Sequence, residues 1–254
     1  MKFLCLSVLV CGVFLFVSAD TVLNGTADTV VDDIKNKLDE MKDQFTNATG
    51  DFGKTVTDGI SKLSGKKGIV AVIMDSIIQT ITSIASQVTK FFTDPIYDGL
   101  NKFADGIVKQ LNNTINDIRK IQKCGNESQN KTDFTAPLKA VEKCAVDAVD
   151  QASGLMGEAV SAIGQLGTSI GSDISDTVKC VGSMLDIVNC VGGFINGGLR
   201  GVRDVSNTIA VGTQVVTGMI TLLPQGVGCM AGQFNEIVQN ATQTGLDVNK
   251  CILN

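Results

Sequence analysis

From Asp28 onward, apolar side chains recur at Val30, Ile34, Leu38, Met41 and Phe45, then at Phe52, Val56, Ile60 and Leu63, with charged and polar residues between them. That spacing is one face of an amphipathic helix. Val30, Met41, Phe52 and Leu63 are each eleven residues apart, as are Ile34, Phe45 and Val56. An eleven-residue period keeps the stripe on one side of a nearly straight helix. Gly50 and Gly53 are expected to break or loosen it midway, and Ser64-Gly65-Lys66-Lys67-Gly68 reads as a turn.

A second stripe runs through Val70, Ile73, Ile77, Ile81, Ile84, Val88 and Phe91, and is expected to stop before Pro95. A third, from Ile96 through Leu100, Phe103, Ile107, Leu111, Ile118 and Ile121, ends near Cys124. Polar residues 125 to 135 then lead to Pro137 at a helix start. A long stripe of mostly small residues follows from Leu138 through Ala145, Ala152, Ala159, Leu166 and Ile174 to Val188. Pro224 is expected to separate the segment from Val202 to Leu223 from a last helix carrying Cys229, Phe234, Ile237, Ala241 and Cys251. No β-alternation is sustained. The pattern predicts an all-α protein, an elongated bundle of long amphipathic helices with a disulfide-linked C-terminal half.

The first nineteen residues are of another kind. Lys2 precedes an apolar run from Phe3 to Val17, and the small pair Ser18 and Ala19 follows. This is the design of a secretory signal peptide, with cleavage expected before Asp20. The run is too short to span a bilayer, and the most apolar later stretch, Ile69 to Val88, is interrupted by Asp75, Gln79, Thr80 and Gln87, so no stable membrane span is expected. The organisation is then residues 1–19 as signal peptide, 20–123 as an N-terminal amphipathic helical region and 124–254 as a cysteine-containing helical domain.

Export changes the meaning of the cysteines. Cys5 and Cys11 leave with the leader, and Cys124, Cys144, Cys180, Cys190, Cys229 and Cys251 remain. An even number in an oxidising compartment implies disulfides. Cys180 and Cys190 on one helix would lie about 15 Å apart, too far to bridge. Cys124 with Cys144 is the favoured pair, because the two flank a loop that would join antiparallel helix ends. Export also makes six sequons candidate glycan sites, at Asn24, Asn47, Asn112, Asn126, Asn130 and Asn240.

Charge and chemistry narrow the function. The chain has 21 bases against 26 acids, for a net charge of -5 that falls by one when Lys2 is removed. Nucleic acid, which needs the opposite sign, is not an expected partner. There is no histidine, and hence neither the usual general base near neutral pH nor the commonest metal ligand. Gly167-Thr-Ser169-Ile-Gly171 matches the nucleophile-elbow pattern but sits in a helical stripe without a histidine partner. Ser64-Gly65-Lys66-Lys67 fits a serine-lysine pattern but lacks its companion motifs. Asp32-Asp33 and Asp173-Asp176 read as exposed helix faces and caps. No C-x-x-C pair suggests zinc, and no cofactor motif is present. Gly193, Gly197 and Gly201, like Gly167 and Gly171, are spaced four apart, which suits close helix packing, self-association or contact with lipid.

The intervals between Cys124, Cys144, Cys180, Cys190, Cys229 and Cys251, with Ala/Val/Ile-rich helices between them, resemble those of insect secreted proteins carrying the TsetseEP domain. The resemblance covers about the last half of the chain, which lacks the glutamate-proline tail of the founding member. It implies a gut or reproductive-tract secretion, induced on microbial challenge, with no catalytic residues to carry over. The sequence therefore reads as a secreted, non-enzymatic helical glycoprotein with a binding or interaction role, its partner a protein, glycan or lipid. A lipid carrier or surface-active protein, and a structural coating glycoprotein, are the alternative readings.

Overall fold

A computed structural model describes residues 19–64, 69–127, 134–182 and 200–253. Residues 1–18 of the expected signal peptide, Gly65 to Gly68 of the expected turn, Asn130, Cys190, Gly193 and Gly197 lie outside them. The described residues form long helices: α1 (Ala19–Leu63), α2 (Ile69–Val88), α3 (Asp94–Glu127), α4 (Thr135–Gly182), α5 (Arg200–Gln243) and the short α6 (Val248–Leu253). There are no strands among them.

Both eleven-residue series of α1 are buried except Val30, which is half-buried. Gly50 and Gly53 do not break the helix, contrary to expectation. Both are exposed, and a methyl group added at either would meet no atom within 4 Å. Packing of the flanking Phe45, Phe52 and Val56 outweighs the weak helix preference of two glycines, about 1 kcal/mol each. Gly50→Ala and Gly53→Ala should each raise stability by about 0.5–1 kcal/mol in urea titration, through fewer unfolded conformations.

Neither proline ends a helix. α2 passes into α3 through one π-helical turn, Thr89–Thr93, in which the Asp94 amide bonds the Thr89 carbonyl five residues back. The widened turn lies directly before Pro95, where a normal turn would set a carbonyl against the ring. α5 likewise runs through Pro224. Pro224 is exposed, and so is Ile220 one turn earlier, so water can take the carbonyl the proline leaves unbonded.

α1 packs on α4 and α3, and α5 packs on α4 and α3, which closes a four-helix bundle around one core from Val31 to Cys251. The expected boundary after residue 123 falls within α3, and helices on both sides of it share this core. Gly59 lies against Ile174, as Lys37 does against Asp150, so α1 and α4 run parallel. Gly99 meets Met219 and Gly106 meets Leu223, so α3 and α5 run parallel too, while Leu155 at Gly218 sets α4 antiparallel to α5. α4 has 48 residues, about 70 Å of helix. At Gly226 the approach of α4 is so close that a Cβ would stand 2.9 Å from that of Ala148. Gly167 and Gly171 face Phe52 and Thr55 of α1, so this pair of small residues belongs to an internal seam.

The topology corrects the disulfide expectation. Cys124 pairs with Cys251 and Cys144 with Cys229, at Cα separations of 5.6 and 5.7 Å. Because α3 runs beside α5, its C-terminal end arrives next to α6 rather than at the start of α4. One bridge ties α3 to α6 and the other α4 to α5, at the same end of the bundle. Cys180 is disulfide-bonded as well.

Candidate functional site

The polar chemistry of the described residues gathers where the second half of α4 meets the first half of α5. Asp173 is buried, 4 % exposed, not on an open helix face as its spacing from Asp176 suggested. Its carboxylate accepts the Gly201 amide at 2.9 Å and pairs with the Arg200 Nε at 3.2 Å, while the same guanidinium also bonds Asp176. Asp173 therefore caps α5 from a neighbouring helix, placing negative charge at its N-terminus. Gly201 permits this approach, since a Cβ there would come within 2.7 Å of Ile170. The Thr177 hydroxyl donates to the Asp173 carbonyl at 2.7 Å, inside α4.

One turn before Asp173, the Ser169 hydroxyl donates to Asp204 at 2.5 Å. Ser169 thus lies within α4 and donates its proton to a carboxylate of α5, which joins the two helices. The strand-to-helix turn that exposes a nucleophile is not its setting. Ser64 closes α1 by donating to the Ser61 carbonyl, while Gly65 to Lys67 lie outside the described residues.

Beside the Ser169 pair, a groove of about 730 Å³ opens between α4 and α5. Ser161, Gln165, Thr168, Asn207 and Thr208 line it, over Leu166 and Val211. Its walls offer hydroxyls and amides and a single carboxylate, Asp204. A second groove, about 480 Å³ between α1 and α3, is different in kind: Lys35, Asp39, Lys42, Asp105 and Lys109 surround it with both signs of charge. Among the described residues no three acidic, cysteine or histidine side chains converge as a metal site.

The charges are unevenly placed. Exposed positions of α1 carry Asp32, Asp33, Lys35, Lys37, Asp39, Glu40, Asp51 and Lys54, whereas α5 has no charged residue between Asp204 and Glu236. Sequence reasoning passed over this run, together with Asp204, Gln165 and Asn207. The run was visible in the sequence, but its meaning depends on which helices surround it. Of the candidate glycan sites, Asn47 and Asn240 are exposed, Asn112 is half-buried, and Asn24 and Asn126 lie in α1 and α3.

Glu142, near the bridged end of α4, has a carboxyl oxygen removed from solvent with no hydrogen-bond partner. Burial pushes its pKa up to about 7, against a smaller downward pull from Lys139. The native state then holds a proton that the unfolded chain releases near pH 4.5, so stability falls as pH rises from about 4.5 to 7. Glu142→Gln should remove that decline and stabilise the protein above pH 7 by about 1–2 kcal/mol, allowing for partial solvent access. Urea midpoints at pH 5 and pH 8 measure it.

No family model, curated protein or solved structure matches the chain.

Proposed function

We propose that this chain is an exported, glycosylated helical protein that acts by binding rather than by turnover, and that its working surface is α5 with the α4–α5 groove. The contrast in charge carries this reading. α1 and α3 present ordinary solvated faces of mixed charge, while α5 presents hydroxyls, amides, small residues and the exposed Ile220, 65 % open to solvent. Charge-depleted surface of this kind is what recognition interfaces use. The disulfides support the address, because such bonds persist in oxidising compartments, and they hold the surface rigid at one end. The resemblance to secreted insect proteins adds a gut or reproductive-tract setting, with a part in host defence.

A second reading, contact with lipid, is favoured by one observation. α5 is long and apolar enough to cross a membrane by length and composition: an 18-residue stretch within it has a mean hydropathy of 1.4, and 28 % of that stretch is buried. A core helix of a bundle has the same composition, and the outward residues of α5 are mostly small or polar, with Val202 and Ile220 the large apolar exceptions.

Expression of the full chain in a secretory eukaryotic line tests the proposal. The protein should appear in the medium without residues 1–19, shift on enzymatic deglycosylation, and weigh about 6 Da less than its reduced form if all six cysteines are paired. Retention in the cell, unglycosylated and with free thiols, would overturn it.

A further inference from the structure

We propose that the chain self-associates through α5 as an antiparallel two-fold pair with Ile220 at the axis. The inference rests on the reading of α5 as the working surface and names its partner.

Residues 205–235 carry no Asp, Glu, Lys or Arg, and their midpoint is residue 220. Ile220 is the most exposed large apolar side chain of α5. Around it on the outward side stand Ala210, Thr213, Thr217, Thr221, Pro224 and Gly228, all exposed and short, with the exposed Gln214 and Gln225 as the longer, uncharged side chains of the strip. An isologous contact must be complementary to itself. A charge-free strip with its apolar residue at the centre meets that condition, because antiparallel pairing sets Ile220 against its own copy. The same register brings the exposed Arg203 of one copy level with the exposed Glu236 of the other at both rims. Asp204, at the same level, is already taken by Ser169.

The glycan sites point the same way. All six acceptor asparagines lie on α1, on α3, at position 130 or in the last turn of α5, and none falls between residues 131 and 239. The strip is thus free of both charge and sequons in a chain rich in each. Its length is about 46 Å, and at a helix width of 10–12 Å it would remove about 1,000 Å² from the two copies together, the lower bound for a specific interface. A dimer of moderate affinity follows. Hydroxyl and amide groups cost less to bring against their like than into hydrocarbon, which favours a second copy over a bilayer.

Sedimentation velocity of the secreted, disulfide-intact protein tests this from about 1 to about 100 µM. The native chain should pass from monomer to dimer across that range, Ile220→Glu should weaken association at least about tenfold, and Val72→Glu on the exposed side of α2 should behave as the native chain does. Since Ile220 is exposed, unchanged circular dichroism and melting at about 1 µM, where the native chain is monomeric, will show that the variant folds. A native chain monomeric throughout, or an Ile220→Glu variant that dimerises as well as the native chain, would overturn the proposal. So would a native monomer that floats with phosphatidylcholine vesicles through Ile220, which would assign the strip to lipid. Each of these results leaves export and glycosylation standing, since those are read separately in the secretion assay.

Discussion

Replacing Cys124 and Cys251 together by serine will lower the unfolding free energy by about 3–4 kcal/mol and the melting temperature by roughly 10 °C. The bridge spans 127 residues, but the Cys144–Cys229 bridge, spanning 85, is nested inside it. With the inner bridge intact, the outer one closes only the difference, about 42 residues of free chain, which sets its entropic contribution near 4 kcal/mol. The loss should be concentrated at one end. α6 is held by Cys251, by burial of Leu246 and Val248, and by a bond from the Lys120 ammonium to the Ile252 carbonyl. Without the bridge, amide exchange should accelerate first in α6 and the last turns of α3. Removing both bridges should cost more than either alone. A loss under about 1 kcal/mol for the Cys124/Cys251 variant would mean that the two ends are not joined in the folded protein.

Phe45→Ala should cost about 3–5 kcal/mol, the range for a large buried side chain cut back to a methyl group. Phe45 is fully buried, with its ring 5.9 Å from that of Phe92 and 5.1 Å from that of Tyr97. The Tyr97 hydroxyl is hydrogen-bonded to Thr46 at 2.5 Å, so its ring cannot move in to fill the space without breaking that bond. The three rings join α1 to the π-helical turn and the start of α3, where α2 and α3 would otherwise be free to bend. Phe45→Leu keeps most of the volume and should cost no more than about 1.5 kcal/mol. Urea titration of both variants gives the comparison. Equal losses would show that the site tolerates a cavity by collapse.

The helices themselves were legible in the sequence because a core face must repeat at the helical period wherever it is buried. The two eleven-residue series of α1 and the stripe from Leu138 to Ile174 on α4 are the faces found inside the bundle. Where local signals misled, packing had overridden them. Gly50, Gly53 and Pro224 are poor helix residues, yet all are exposed and carried by buried neighbours on either side. Pro95 is accommodated by a π turn, which no local pattern announces.

Tertiary neighbours were not legible. The pairing of Cys124 with Cys251 follows from α3 lying beside α5, a fact about helix order that periodicity does not contain. The same holds for Asp173. Its spacing from Asp176 resembles many solvated pairs, and only the arrival of Arg200 and Gly201 from α5 turns it into a buried cap. Ser169 shows the converse. Its flanking glycines match a catalytic pattern, but in the folded chain they pack on Phe52 and Thr55 while the hydroxyl ties α4 to Asp204.

A disulfide-locked bundle whose α5 carries a charge-free stretch from residue 205 to 235 depends first on the covalent frame. Peptide mapping of the purified protein by mass spectrometry, after digestion without reduction, tests it most directly. The fold predicts one linked peptide containing Cys124 with Cys251 and another containing Cys144 with Cys229. A peptide joining Cys124 to Cys144, or alkylation of these four cysteines as free thiols, would contradict it.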